Sequence, residues 1–283
     1  MNRRAFTRIL LGCAVAVAIL TFSTASAHAA LLNDHFDDAD LATATGLGEV
    51  NGGFALETND LGGSPSAIDP AANSNAVINT GSADNGNAGI VSLNTVDLAS
   101  GAFTATWVVS SVSGTPKSNG IVLGLQSDNG FINHADGDPN LLVRVFGDNG
   151  SPDFSFDLRA DNGASTHVYE VGSANAFTNA SILDGFTADL ELTSAGTNGS
   201  YTLTLTGLDS SPIVRSGDFD ESGFAYSDLF DSTMYASAYV QRGTEEAKTL
   251  NVDRITVIPE PASLALLGMG VLGLLIARRR RLR

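Results

Sequence analysis

The segment FTADLELTSAGTNGSYTLTLTG, residues 186–207, indicates the fold of this chain most directly. In both of its halves apolar and polar residues alternate, which is the period of two that a strand with one buried face requires. Tyr201, Leu203 and Leu205 fall on one face of the second half, and threonines fall on the other. Asn198-Gly199 supplies the positive φ of a tight turn, so the two halves predict an antiparallel hairpin.

Further strands are predicted on the N-terminal side of this hairpin. In DFSFDLRA, residues 153–160, the apolar residues share one face, while Ser155, Asp157 and Arg159 are expected on the solvent face. GIVLGLQ and NLLVRVF, which begin at residues 120 and 140, are short apolar runs and predict strands buried on both faces. With turn residues between many short strands, the sequence predicts an all-β, antiparallel jelly-roll or β-sandwich domain.

The N-terminal segment predicts an export signal. Residues 1–29 combine a basic start, an apolar stretch and the small residues STASAHAA, with cleavage expected after Ala27 or Ala29. RRAFTR, residues 3–8, also leaves the twin-arginine route open beside the general export route. Cys13 is the only cysteine and lies in this signal, so no thiol chemistry is expected of the mature chain.

The C-terminal segment predicts a short membrane helix with a basic stop. The apolar run 262–277 has 16 residues, which as a helix would reach about 24 Å. A hydrocarbon core is about 30 Å thick, so this run spans it only barely. The arginines Arg278, Arg279, Arg280 and Arg281 place the C-terminus in the cytoplasm and everything before Pro259 outside.

Pro259, Glu260 and Pro261, followed by a short apolar segment and an arginine cluster, resemble the sorting signal of PEP-CTERM proteins. The two prolines forbid a helix around Glu260 and favour extended chain. The resemblance implies processing near this motif by an exosortase, and a destination at the cell surface of a bacterium that makes exopolysaccharide and biofilm. The expected organisation is therefore an export signal at 1–29, a β-sandwich ectodomain at 30–257 and the sorting signal at 258–283.

Charge excludes two classes of partner for the ectodomain. Eight of the 15 basic residues and one of the 31 acidic residues lie in the two terminal signals, which leaves seven against 30, a net charge of −23. A domain this acidic is repelled by nucleic acid and by anionic lipid, so we expect neither as a partner. It remains soluble and attracts cations such as Ca²⁺.

The two ends of the ectodomain resemble those of concanavalin-like and laminin-G-like jelly rolls. ALLNDHFDDAD, from residue 30, and LNVDRITVIPEP, from residue 250, have the pattern of their first and last strands. In those proteins the terminal strands lie side by side. The resemblance also implies a calcium site that would join Asp34 or Asp37 to Asp253.

A second candidate calcium site follows from spacing alone. Asp136, Asp138 and Asn140 stand in the alternating order that lets successive oxygens converge on a hard cation. The glycine and the distant glutamate of an EF-hand loop are missing. Structural Ca²⁺ is the one cofactor that the sequence suggests.

Catalytic residues are not predicted. Asp189 and Glu191 form the tidiest acidic pair on a strand, but the pattern favours a solvated outer face. No Gly-x-Ser-x-Gly elbow is present. Trp107, the only tryptophan, is expected in the core rather than stacked on a sugar, because valines follow it.

Two functions remain open from the sequence. The preferred one is a structural or adhesive protein of the extracellular polysaccharide matrix, with weak glycan binding and no catalysis. The alternative is a secreted polysaccharide hydrolase or lyase on a concanavalin-like fold.

Overall fold

The computed structural model describes most of the ectodomain, and one compact unit runs from Ala30 to Pro259. The described residues are 32–38, 40–43, 49–59, 66–68, 75–80, 87–98, 102–113, 120–129, 139–147, 153–161, 166–171, 177–178, 184–195, 198–219, 233–241 and 249–259. The predicted export signal and membrane helix lie outside them. Within these ranges no helical segment has the length and hydropathy needed to cross a bilayer.

All regular elements of the described ranges are antiparallel strands apart from one short helical turn, which confirms the all-β prediction. The strands are β1 (Leu32–Asp34), β2 (Phe54–Asn59), β3 (Ser66–Ile68), β4 (Ala76–Asn79), β5 (Asn87–Ser92), β6 (Val96–Asp97), β7 (Phe103–Ser113), β8 (Ile121–Gln126), β9 (Asn140–Gly147), β10 (Asp153–Asp161), β11 (Thr166–Val171), β12 (Phe177–Thr178), β13 (Phe186–Ala195), β14 (Asn198–Thr206), β15 (Ile213–Asp218), β16 (Thr233–Gln241) and β17 (Thr249–Pro259).

The strands form two sheets. The eight-stranded sheet has the order β15-β14-β13-β7-β17-β4-β3, with β1 also paired to β17. The nine-stranded sheet has the order β11-β10-β9-β8-β16-β5-β2, with β12 paired to β10 and β6 to β16. We call the face of each sheet that points toward the other sheet its inner face, and the opposite face its outer face.

The predicted hairpin exists, but its turn lies elsewhere. β13 pairs with β14 from Thr187↔Thr206 to Ala195↔Asn198. Asn198 and Gly199 therefore lie in the ladder, and the prediction that they form the turn is wrong. Two residues, 196 and 197, separate the paired positions, and cross-strand pairing rather than the Asn-Gly signal determines the register.

The predicted neighbours at the chain ends are confirmed. Leu32 pairs with Val257 and Asp34 with Ile255, so the first and last strands lie side by side. β17 is an interior strand, because β7 pairs with its other edge along almost its whole length. The strand continues to Pro259, whose backbone pairs with Phe103, and so includes the first residue of the Pro-Glu-Pro motif.

The core lies between the inner faces of the two sheets. β7 alternates buried and half-buried residues, with Phe103, Ala105, Trp107 and Val109 inside. Trp107 is fully buried, as predicted, and its Nε1 donates to the carbonyl oxygen of Ser237 on β16 at 3.1 Å. This hydrogen bond satisfies the indole N–H inside the core and links the two sheets.

Candidate functional site

The outer face of the nine-stranded sheet is buried although it points away from the core. All six residues of β8 are buried, which confirms the prediction of a strand buried on both sides. The same face of β10 was expected to meet solvent, and that expectation is wrong for Ser155 and Asp157, which are buried. The alternation of side chains along β10 is as predicted, but alternation within one strand does not show whether other residues cover its outer face.

Polar and charged side chains line this buried face. In register, Asp157 on β10 stands opposite Arg144 on β9, which stands opposite Val122 on β8. Four residues further along β10 and on the same face, Asp161 stands opposite Asn140, which stands opposite Gln126. Isolated buried charges are costly, so such an array requires internal partners.

Arg144 and Asp157 provide such partners for each other. Nε of Arg144 donates to Oδ1 of Asp157 at 2.7 Å, and Nη2 contacts Oδ2. The side chains are only 7% and 4% exposed. A two-point pair of this kind fixes the orientation of both groups and uses both carboxylate oxygens of Asp157.

Arg159 lies on the same face but is paired differently. Its Nη2 is 3.9 Å from Oδ2 of Asp157, and its side chain is 19% exposed. Burial lowers the pKa of Arg159, and the charge of Arg144 lowers it further, while Asp157 and Asp161 act in the opposite direction. Arg144 and Arg159 thus both lie near the carboxylate of Asp157, which already contacts Arg144 through both of its oxygens.

Tyr239 organises the adjoining part of the face. Its hydroxyl donates to Oε1 of Gln126 at 3.1 Å, and Nε2 of Gln126 donates to the carbonyl oxygen of Asp128 at 2.8 Å. The ring lies against Gly89, where an added Cβ would come within 1.8 Å of the ring. Val91, Val122 and Leu142 complete a small apolar cluster around the ring.

Asp34 fixes the segment that follows β1. Its Oδ1 accepts a hydrogen bond from the backbone N–H of Phe36 at 2.9 Å, and its Oδ2 accepts one from Gly53 at 2.7 Å. Phe36 and Gly53 both have positive φ, at 52° and 93°. Burial raises the pKa of Asp34 to about 6, and the hydrogen bonds from Gly53 and Phe36 act against this increase.

A pocket opens on the outer face of the eight-stranded sheet. It has a volume of about 310 Å³ and is lined by His35, Asp37, Val108, Asp253 and Arg254. Asp253 is an extra residue of β17, because Val252 pairs with Val109 and Arg254 with Val108. Such a bulge turns a side chain out of the regular ladder.

The structure therefore brings Asp37 and Asp253 together, as the jelly-roll resemblance implied, but not Asp34. The carboxylate of Asp34 is occupied by backbone N–H groups instead. Across the described ranges, no group of three His, Cys, Asp or Glu side chains is arranged to hold a metal ion. The calcium site at Asp37 and Asp253 stays a prediction.

The other predicted calcium site is only partly visible. Asn140 is the first residue of β9 and is buried beside Asp161. Asp136 and Asp138 lie outside the described residues, so this site also stays a prediction. Two neighbouring oxygen-bearing side chains on one face fit a hard cation, but they do not make a complete ligand set.

The remaining predicted residues are placed as follows. Glu191 is exposed and Asp189 half-buried on the outer face of β13, where Thr106 donates to Oδ1 of Asp189 at 2.6 Å. Of the processing motif, Pro259 ends β17. Glu260, Pro261 and the arginines 278–281 lie outside the described residues.

The pattern of the sequence did not identify Arg144, Asp157 and Arg159 as a group. A signal was present, because NLLVRVF predicts burial on both faces and contains Arg144. A buried arginine needs a carboxylate, and Asp157 stands on the next strand along the chain.

Solved structures with the same architecture are lectins and related domains. A lectin from Bauhinia forficata in complex with GalNAc has a TM-score of 0.51 and 11% identity, over 73% of this chain and 93% of that one. The carbohydrate recognition domain of Emp47p has a TM-score of 0.50 and 13% identity, over 81% and 97%. The Ca²⁺-bound exoplasmic/lumenal domain of VIP36 has a TM-score of 0.50 and 10% identity, over 78% and 88%.

At these identities the likeness establishes the fold alone, which is an antiparallel jelly-roll sandwich like that of the lectins. Residues 257–281 match the PEP-CTERM protein-sorting motif, which confirms the resemblance seen in the sequence. The chain is thus a lectin-like sandwich that carries a PEP-CTERM sorting motif, and the motif implies export followed by processing. The search of curated protein sequences found no match.

Proposed function

We propose that this chain is sorted by an exosortase to the cell surface or extracellular matrix, where its sandwich binds polysaccharide. The role is structural or adhesive, in exopolysaccharide or biofilm. The observation that carries the proposal is the junction of a sorting motif at 257–281 with the last strand of a lectin-like sandwich. The motif directs sorting, and the sandwich is the part of the chain that is delivered.

Two further observations support the proposal. The similar structures include a lectin in complex with GalNAc and a carbohydrate recognition domain. The ectodomain has seven basic and 30 acidic residues, which favours a hydrated glycan environment over nucleic acid or an anionic membrane.

Binding is tested on the purified full chain with an array of neutral and acidic polysaccharides. We expect saturable binding to at least one class of glycan. Absence of binding to every glycan would refute the proposed function.

Sorting is tested separately by the intact mass of the protein recovered from its native host. We expect a mass that lacks residues 1–29 and the apolar segment 262–277, which would report both processing events. Recovery of material that still contains the last arginine outside the cell would contradict processing at the Pro-Glu-Pro motif.

We further propose that the sandwich acts without catalysis of its own. Asp189 and Glu191 face outward from a sheet whose neighbouring outer positions are Thr104, Thr106 and Thr202. A hydrolase needs two carboxylates facing each other across a bound sugar, whereas these two project from one strand. Release of reducing ends that is lost in Asp189→Ala or Glu191→Ala would establish the enzyme alternative instead.

Structural calcium belongs to the same proposal. Asn140 and Asp161 offer neighbouring oxygens on the outer face of the nine-stranded sheet, and carboxylate and amide oxygens are the ligands that Ca²⁺ prefers. Bound calcium would stabilise the first residues of β9.

A further inference from the structure

We propose that the sandwich limits where the chain is processed: the cut lies on the C-terminal side of Pro259, and β17 stays paired while the sorting enzyme acts. This inference rests on the proposed sorting by an exosortase and names the part of the motif that such an enzyme reads. It starts from an overlap, because the matched sorting motif covers residues 257–281 and β17 covers Thr249–Pro259. Residues 257–259 therefore belong to the motif and to the sheet at once.

The sheet holds these three shared residues. At Val257 β17 is paired on both edges, with Ala105 of β7 on one side and Leu32 of β1 on the other. The pairing with β7 continues through Ile258 to Pro259. In an antiparallel ladder the backbone N–H and C=O groups of paired residues bond to the neighbouring strands. The backbone of the shared residues is therefore already used by the fold.

An enzyme that binds its substrate as an extended chain needs the same backbone groups. Such peptides are held largely by main-chain hydrogen bonds, as an added strand is. A segment that is paired on both edges can make those bonds only after it has left the sheet, and cleavage of paired backbone accordingly requires local opening. Recognition of residues 257 and 258 would therefore require the end of β17 to open first.

The hydrophobic core opposes that opening. Val257 is 0% exposed, and so are Ile255, two residues earlier on the same face, and the partner residue Leu32. Detachment of the strand end would bring these apolar side chains into water, which is unfavourable. Ile258, on the opposite face, is 43% exposed, so the alternation of buried and exposed side chains continues to the end of the strand. The end of β17 is thus an integral part of the sandwich.

The prolines explain why the boundary falls at Pro259. A proline has no backbone N–H to donate, so neither Pro259 nor Pro261 can contribute a donor to a ladder. The sequence therefore disfavours regular pairing beyond Pro259 and leaves the following backbone for the enzyme. At the cut the peptide C–N bond breaks, the acyl carbon bonds to the oxygen of water or to a primary amine of the cell surface, and the released amine takes the proton.

The position of the cut is read from one peptide. Trypsin cleaves after Arg254, so the C-terminal tryptic peptide of the processed protein begins at Ile255. The full chain is produced in its native host, recovered from outside the cell and digested, and tandem mass spectrometry identifies the last residue of this peptide. We expect the peptide to contain Pro259 and to end there or later. A peptide that ends at Ile258 or earlier would overturn the inference and leave the proposed sorting standing. Recovery only of chains that still contain Arg283 would refute both.

Two matched variants test whether β17 opens. Val257→Ala and Val252→Ala make the same change on the same strand, at residues that are both 0% exposed, but only Val257 lies within the motif. The conversion of precursor to product is followed by pulse-chase labelling in the native host. If the strand end had to open, cleavage would track the population of the opened state, and Val257→Ala would accelerate processing about tenfold or more.

The inference predicts instead that both variants are processed within about twofold of the rate of the unmodified chain, because the enzyme acts on backbone outside the sheet. A larger change in Val257→Ala alone would show that the enzyme depends on the end of β17 and would overturn the inference. A larger acceleration in both variants would show that opening of the sandwich limits processing, which would overturn it as well.

Discussion

The raised pKa of Asp34 leads to a specific prediction about how the stability of this protein depends on pH. Its carboxyl group is 1% exposed and receives two backbone hydrogen bonds, from Phe36 and Gly53. Burial raises its pKa from 3.8 to about 6, opposed by those hydrogen bonds and assisted by Glu49 and Asp38. The native state therefore holds a proton on Asp34 at pH values where the unfolded chain has released it.

The sign of the pH dependence follows from this difference. Because the folded pKa lies above the unfolded one, the contribution of Asp34 to stability is complete below about pH 4. It is lost as the pH rises through about 6. At 1.36 kcal/mol per pKa unit the full difference corresponds to about 3 kcal/mol, which we take as the upper limit of an expected contribution of about 1–3 kcal/mol.

The variant Asp34→Asn removes the titrating carboxyl group and keeps the size and shape of the side chain. The amide presents a donor to one of the two backbone N–H groups, so near pH 4 the variant should be about 1–3 kcal/mol less stable than the unmodified chain. The difference in free energy of unfolding between the variant and the unmodified chain should shrink by about 1–3 kcal/mol from pH 4 to pH 7, because only the unmodified chain loses stability over that range.

Urea titrations followed by the fluorescence of Trp107, the only tryptophan, measure these free energies. Asp40→Asn is the control, because Asp40 is exposed and its Oδ1 also accepts from a backbone N–H in the same segment. The control reports the general effect of removing one negative charge. A difference between Asp34→Asn and the unmodified chain that stays constant from pH 4 to pH 7 would refute the reasoning.

Three other outcomes are expected. Asp157→Ala should cost about 3–5 kcal/mol in urea unfolding, because it leaves Arg144 buried without its carboxylate; a loss below about 1 kcal/mol would contradict the buried pair. Trp107→Phe should cost about 1–3 kcal/mol, because the carbonyl of Ser237 loses its indole donor and the core loses volume; an unchanged midpoint would argue against that contact. If calcium is structural, a chelator should lower the melting temperature by several degrees, since each kcal/mol corresponds to about 2–4 °C in a domain of this size; no change at millimolar Ca²⁺ would remove the calcium proposal.

The sequence predicted strands better than it predicted exposure. The period of two in residues 186–195 and 198–206 is a local property of the chain, and β13 and β14 follow it. Likewise, a tryptophan among apolar neighbours is costly to expose, and Trp107 lies in the core. The same period in β10 placed Asp157 toward solvent, because a pattern within one strand carries no information about what covers its outer face.

Turn placement shows a similar limit. Asn-Gly tolerates the positive φ of a hairpin turn, but it does not require one. In the structure Asn198 and Gly199 are paired with Ala195 and Ser194, so cross-strand pairing determined the register.

By itself the sequence determined the all-β class and the sorting motif, because each depends on composition or order along a short stretch. The adjacency of the first and last strands was implied by the resemblance to known jelly rolls. Only the tertiary structure decided that Arg144, Asp157 and Arg159 share one buried face. It also decided that the carboxylate of Asp34 accepts hydrogen bonds from backbone N–H groups. Those relations join residues on different strands, and the interaction energies involved arise only when sheet pairing removes water from around the charges.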